Sequence, residues 1–172
     1  LDDDQRREVL RDAAGALKAA IGDLAPILVA EQGKPLKDAN SELIGAYLFM
    51  DTYEEATGYA PGETTSVRDD DGHGTHTATT AAGNADVPAS VFGVNRGTVS
   101  GIAPRAQVIA YRVCGTAGCY GSDSAAAVEQ AIVDDVDVIN FSISGGSNPY
   151  GDIVSLAFLD AYTAGIFVAA SA

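Results

Sequence analysis

The chain has 172 residues, and its 24 acidic and 10 basic side chains give a net charge of −14. An acidic chain of this kind is a poor partner for nucleic acid or an anionic membrane surface, and it has no apolar run of the roughly 18 residues that a membrane span needs. With 47% apolar and 20% charged residues, the composition favours a folded domain over a disordered one. The sequence starts without Met or a signal peptide and stops within an apolar run, so we expect both ends to be cut.

The first part of the chain, residues 1–57, has the apolar periodicity of helices. Apolar residues recur at steps of three and four along residues 9–24, with charged residues between them. Gly33 followed by Pro35 ends this helix. A second helix is predicted over residues 36–56, with an apolar side that includes Leu43, Tyr47 and Met50. The first part is therefore predicted to be an α-helical hairpin, and a turn-rich junction follows at residues 58–63.

The second part, residues 64–172, has shorter elements with a different period. Strands are predicted at 107–113, 136–142 and 166–170, and helices from near His73 and at 124–134 and 153–163. Strands that alternate with helices are typical of a parallel sheet with crossover connections. The predicted fold class is α/β, a partial doubly wound parallel sheet of three or more strands preceded by the helical hairpin.

Residues 3–56 combine a predicted helix over 6–28 with the run Ala30-Glu31-Gln32-Gly33-Lys34-Pro35-Leu36. With these features they resemble the N-terminal part of aldehyde dehydrogenases. In that family this region is a helical scaffold, and the family's catalytic Cys, Glu and Asn motifs do not occur in this chain. The resemblance implies packing without dehydrogenase activity, which a plain amphipathic helix pair would also give.

Three motifs follow one another in residues 64–172. They are Asp71-Gly72-His73-Gly74-Thr75-His76-Thr77-Ala78, then Gly101-Ile102-Ala103-Pro104 with the strand Val108–Val113, then the run from Val136 to Gly146. In their order and approximate spacing they resemble the subtilisin-like serine proteases, peptidase S8. The resemblance implies a subtilisin-like fold, a secreted location and an extended peptide or protein substrate, and it leaves the oligomeric state open.

His73 matches the catalytic His of the family. An imidazole with a pKa of about 6.5 can take a proton from a serine hydroxyl and return it to the leaving amine. His76 lies three residues further on, but no third ligand accompanies this His-x-x-His pair, so we expect His76 to be structural.

The other groups of a serine protease site have no clear counterpart in these residues. The nearest acid, Asp51, is followed by Thr52 but lacks the Gly of the Thr-Gly that follows the family's catalytic Asp, and Asp69–Asp71 are too near His73 in sequence to reach its far ring nitrogen easily. No Gly-Thr-Ser run occurs, and Asn140 matches a structural Asn rather than the oxyanion Asn. The expected function is subtilisin-like proteolysis by resemblance, with no activity in this chain as it stands. The alternatives are a non-catalytic peptide-binding module and a recombined fragment without selected function.

The substrate groove has better matches. Ser142-Ile143-Ser144 and Gly118-Cys119-Tyr120 match the two segments whose backbones hold an extended peptide in this family, which usually has Gly at the position of Ser144. Cys114 and Cys119 look most like a secreted branch of the family, and either a disulfide or two free thiols fits their spacing. No cofactor is expected, although the resemblance allows calcium at residues 83–94 through backbone oxygens.

Overall fold

A computed structural model describes residues 43–145 and 148–171. The helices are α1 (Asp51–Ala56), α2 (His73–Ala82), α3 (Gly121–Val133) and α4 (Ile153–Thr163). The strands are β1 (Leu43–Leu48), β2 (Val87–Val91), β3 (Val94–Val99), β4 (Val108–Arg112), β5 (Cys114–Gly115), β6 (Gly118–Cys119), β7 (Val138–Phe141) and β8 (Phe167–Ala170). The predicted helix over 9–24 and its Gly33-Pro35 stop lie outside the described residues.

The described chain divides into two compact units, a larger one of residues 43–74 with 108–171 and a smaller one of Thr75–Gln107. In the larger unit β1 pairs with β4 and β7 pairs with β8, and both pairs are parallel. Helix α3 lies between β4 and β7 in the chain, and α4 lies between β7 and β8. Parallel strands joined through helices make this an α/β fold, as the sequence predicts. The described strands form separate two-stranded sheets rather than the single sheet of three or more strands that we expected.

Small side chains build the core of the larger unit. Ala125 and Val128 of α3 meet Ala157 and Ala161 of α4, and Ile166 closes the cluster. Alanines at the contact allow the two helices to approach closely, so the strand residues Ile139 and Val168 can pack against the same cluster. This core therefore fixes β7 and β8 under α3 and α4.

The carboxylate of Asp134, the residue after α3, anchors the other parallel pair. It accepts hydrogen bonds from Tyr111 of β4 at 2.6 Å and from Tyr47 of β1 at 3.3 Å, and the two rings stack with centroids 5.4 Å apart. The bond from Tyr111 is the main reason that the pKa of Asp134 lies below its usual range. Helix α3 and its C-terminal residue thus contact both parallel pairs.

The prediction of a continuous helix over residues 36–56 is wrong for residues 43–48, which form strand β1. The segment contains the β-branched Ile44 and a glycine, Gly45, both of which disfavour helix. Its backbone pairs with β4, which is more than 60 residues away in sequence, from Leu43 opposite Val108 to Leu48 opposite Arg112. Of the part of the predicted helix that the structure describes, residues 43–56, only the six-residue α1 is helical. A long-range strand partner therefore decides the conformation here.

In the smaller unit β2 and β3 form an antiparallel hairpin that the sequence pattern does not predict. Phe92 and Gly93 at its tip have φ angles of 50° and 78°, the left-handed pair that a tight hairpin turn requires. The C-terminal end of α2 receives hydrogen bonds from the backbone of residues 101–103. A Cβ at Gly101 would overlap the amide nitrogen of Gly83, so glycine is needed at this close approach. Among the described helices, none has the length and apolarity to cross a membrane.

Candidate active site and peptide groove

His73 is the first residue of α2, and its side chain is exposed. The preceding turn is closed by Asp69, whose Oδ1 accepts hydrogen bonds from the backbone N–H groups of Asp71 at 3.1 Å and Gly72 at 2.8 Å. Gly72 has a φ of 93°, which only glycine adopts without strain. The turn therefore ends directly at the helix start and presents the imidazole to solvent.

The acids near His73 in sequence have other partners. Asp70 accepts a hydrogen bond from the N–H of Thr64 at 2.9 Å and pairs with Arg112 at 3.3 Å. Asp51 is an exposed residue in the first turn of α1. Within residues 43–145 and 148–171, no hydrogen bond or ion pair joins the His73 ring to a carboxylate. The described part of the chain thus holds the expected base without an orienting acid.

The first predicted groove segment lies on a short hairpin closed by a disulfide. Strands β5 and β6 place Cys114 opposite Cys119, and their sulfurs are bonded, so the pair is a disulfide rather than two free thiols. Tyr120 follows the hairpin; its hydroxyl forms a 2.8 Å hydrogen bond with the Thr57 hydroxyl, and its ring meets that of Tyr53 edge-on. The disulfide and these ring contacts hold residues 118–120 in place.

The second predicted groove segment, Ser142-Ile143-Ser144, follows β7. The Asn140 side chain donates a 3.1 Å hydrogen bond to the Ser142 hydroxyl, and the N–H of Ser171 donates to the carbonyl of Phe141 at the strand end. Ser144 is exposed. Residues 142–144 come directly after the carboxyl end of the parallel strand β7, where α/β folds usually bind their ligands, whereas residues 118–119 form β6 of the antiparallel hairpin. No described contact joins His73 to either segment.

Sequence reasoning missed Glu63 and Arg112. Glu63 sits in the loop that leads to His73 and accepts hydrogen bonds from the N–H groups of Ala60 and Thr116, each at 2.8 Å. The Ala60 bond is the main reason that the pKa of Glu63 is held below its usual range. Arg112 ends β4 and bonds to the same loop. In the sequence, the signal for these contacts was the position of Arg112, a charged residue at the end of a predicted apolar strand.

No group of three or more His, Cys, Asp or Glu side chains is arranged for a metal in the described ranges. Most of residues 83–94, the segment that the resemblance associates with calcium, belongs to the β2–β3 hairpin, whose ladder engages part of its backbone oxygens. Calcium at residues 83–94 stays a prediction. His76 is half-buried, and its Nε2 has no hydrogen-bond partner among the described residues.

Comparison with known proteins agrees with these motifs. Residues 36–172 match the subtilase family, Peptidase S8. The match includes residues 36–56, which we assigned above to the aldehyde dehydrogenase resemblance, and nothing in the comparisons supports that resemblance.

Plant proteases are among the similar proteins. Subtilisin-like protease SBT1.5 of Arabidopsis thaliana is 45% identical over 148 residues, covering 84% of this chain and 19% of the relative. Subtilisin-like proteases SBT1.3 and SBT1.7 of the same plant are 44% and 46% identical, covering 79% and 77% of this chain and 18% of each relative. The chain thus spans about a fifth of the length of these relatives. By its motifs, its α/β fold and the extent of this match, the chain belongs to the subtilase family.

Proposed function

We propose that this chain is part of a secreted serine endopeptidase, to which it contributes the general base His73 and part of the groove for an extended peptide. Membership of the subtilase family is the observation that carries the proposal. The exposed imidazole at the start of α2 supports the assignment of the base. The Cys114–Cys119 disulfide supports a location outside the cytosol, because disulfides persist in oxidising compartments.

Peptide hydrolysis by acyl transfer needs a nucleophile, a base for its proton, a group that orients the base and donors for the oxyanion. In the proposed reaction His73 takes the proton of a serine hydroxyl and later gives it to the leaving amine. The 172 residues contain no Gly-Thr-Ser run to supply that serine. We therefore propose that this polypeptide alone does not hydrolyse peptides, and that it does so only together with the residues that carry the nucleophile.

The proposed groove binds through its backbone. Residues 142–144 follow β7, and Gly118–Cys119 form β6, the second strand of the β5–β6 hairpin. In the proposed groove an extended peptide adds as a strand to either segment. In strand addition the main-chain groups supply the hydrogen bonds, and side chains select among peptides. Binding should therefore depend on the N–H at residue 144 more than on the Ser144 hydroxyl.

A matched pair of variants tests this proposal. We expect the chain to bind an extended, non-cleavable peptide aldehyde, and titration calorimetry measures this binding. Ser144→Ala should bind like the parent chain, whereas Ser144→Pro, which lacks the N–H, should bind at least about tenfold more weakly. Equal binding by all three chains, or no binding by the parent, would contradict the proposed groove.

A further inference from the structure

Arg112 is almost fully buried, with 9% of its side chain exposed, and it faces the loop that precedes His73. Its Nη1 donates to three backbone carbonyls of that loop, those of Thr64 at 3.0 Å, Ser66 at 2.8 Å and Arg68 at 2.9 Å. Its Nη2 pairs with the carboxylate of Asp70 at 3.3 Å. One guanidinium therefore gathers four contacts, at every second residue along 64–70.

These contacts replace a regular backbone ladder. Residues 63–72 form neither helix nor strand, so hydrogen bonds to side chains must hold this stretch in one conformation. Asp70 precedes His73 by only three positions in the chain. The imidazole thus follows a loop to which Arg112 contributes four contacts, beside the turn that Asp69 closes.

The same arginine contacts the groove hairpin. Its Nε donates to the carbonyl of Cys114 at 3.3 Å, and its Nη2 lies 3.8 Å from Oε1 of Glu63. Glu63 in turn accepts the N–H of Thr116, the residue that begins the turn between β5 and β6. The hairpin is therefore contacted twice, by the Arg112 guanidinium at Cys114 and by the Glu63 carboxylate at Thr116.

Tyr53 of α1 also connects Glu63 to the hairpin. Its hydroxyl donates to both Glu63 oxygens at 3.2 Å and accepts the N–H of Ala117 at 3.1 Å. Gly115 lies so close to Tyr53 and Glu63 that a Cβ there would overlap both. The hairpin is therefore packed tightly against the buried group of Tyr53, Glu63 and Arg112, which we call the Arg112 hub.

We propose that Arg112 is a positioning residue that fixes the loop bearing His73 and the groove hairpin Cys114–Cys119 in one mutual arrangement. The inference rests on the proposed function for the roles of His73 and of residues 118–120, but not for the coupling itself. Lysine should replace arginine here only in part, because a single ammonium cannot reach carbonyls and carboxylates on two sides as the planar fork does.

Hydrogen exchange of single amides, read by NMR on the 172-residue chain, tests the coupling. Arg112→Gln should speed exchange of the Thr64 and Thr116 amides at least about tenfold and shift the ring signals of His73. Arg112→Lys should show the same two changes in smaller degree. Arg105→Gln, at an exposed arginine, should show neither, and the amides of α3 and α4 should exchange as in the parent chain in every variant.

A second variant keeps the test decisive if Arg112→Gln does not fold. Asp70→Asn alters an exposed side chain on the loop side of the hub, so it should loosen the Thr64 amide and shift the His73 signals while Thr116 stays protected. The proposal is overturned if Arg112→Lys or Asp70→Asn leaves both Thr64 and His73 as in the parent.

Peptide binding separates this proposal from the proposed function. Arg112→Lys should weaken binding of the peptide aldehyde several-fold if the groove hairpin moves with the hub. If the parent chain binds no peptide, the proposed groove fails, while the exchange data still decide whether Arg112 couples the two segments.

Discussion

At the scale of single residues, the hydroxyl of Tyr53 forms hydrogen bonds with two separate stretches of the chain. The residue is fully buried, and its oxygen lies between the Glu63 carboxylate and the amide of Ala117. When a buried polar group loses its partner, the loss of folding free energy exceeds the net contribution of the hydrogen bond, because no water can replace the partner. The Tyr53 hydroxyl therefore contributes to stability by supplying hydrogen-bond partners to the Glu63 carboxylate and the Ala117 amide.

Tyr53→Phe should lower the free energy of unfolding by about 1–3 kcal/mol, because it leaves the Ala117 amide and part of the Glu63 carboxylate unpaired. Urea unfolding followed by circular dichroism measures the change. The control is Tyr150→Phe, at a residue that is 88% exposed, which should change stability little. Equal stabilities of the two variants would show that the Tyr53 hydroxyl is not needed by its neighbours.

Glu63 should make the fold sensitive to acid. Hydrogen bonds, led by that from the Ala60 N–H, lower its pKa in the folded chain below the value of about 4.3 in the unfolded chain. A carboxyl group with a depressed folded pKa contributes stability above the unfolded pKa, and this contribution disappears as the pH falls through the folded pKa. Protonation at low pH should therefore loosen the Arg112 hub.

Replacing Glu63 with Gln tests this dependence. The stability difference between the parent chain and Glu63→Gln should be largest near pH 7 and should shrink as the pH falls below about 4. Urea unfolding at a series of pH values measures it. If the two stability curves stay parallel down to low pH, the depressed pKa of Glu63 has no consequence for folding.

At the scale of elements, α4 shows where local signals suffice. The sequence predicts residues 153–163, and the structure has the helix at Ile153–Thr163. Asp152 caps it by accepting hydrogen bonds from the N–H and hydroxyl of Ser155 at 2.8 and 2.7 Å. These bonds are also the main reason that the pKa of Asp152 is lowered. The cap and the apolar periodicity agree, so no distant partner is needed to find this helix.

Asp152→Ala should therefore destabilise the chain by about 1 kcal/mol at neutral pH, because the first turn of α4 loses its capping acceptor. Asp152→Asn keeps an acceptor oxygen and should recover most of that loss. Thermal unfolding of the two variants beside the parent measures both effects. An Asp152→Asn chain as unstable as Asp152→Ala would argue against the cap.

Strand β1 and the β2–β3 hairpin show where local signals fail. The helical spacing of Leu43 and Tyr47 is coincidental, since both belong to a strand whose partner β4 lies far along the chain. The turn at Phe92-Gly93 uses a non-glycine residue at positive φ, so it lacks the Asn-Gly signature by which such turns are found. In both cases tertiary pairing outweighs local preference.

At the scale of the whole molecule, the candidate site also has a part that local sequence motifs indicate and a part that only the folded chain brings together. His73 and the groove segments could be proposed from the sequence because short contiguous motifs carry them. The Arg112 hub could not be found, because Tyr53, Glu63 and Arg112 come from three separate stretches and no local pattern relates them. A motif names the groups that do chemistry, whereas the groups that hold them in place become visible only when the chain is folded.

In the proposed function, these residues supply the base and part of the groove of a subtilase without its nucleophile. The most direct test is hydrolysis of a fluorogenic peptide by the parent chain and by His73→Ala, beside binding of the non-cleavable peptide aldehyde. In subtilisin, the well-studied member of this family, loss of the serine alone is known to lower kcat by about 2 × 10⁶. We therefore expect both chains to match the buffer blank while the parent binds the peptide, and hydrolysis above the blank that His73→Ala abolishes would contradict the proposal.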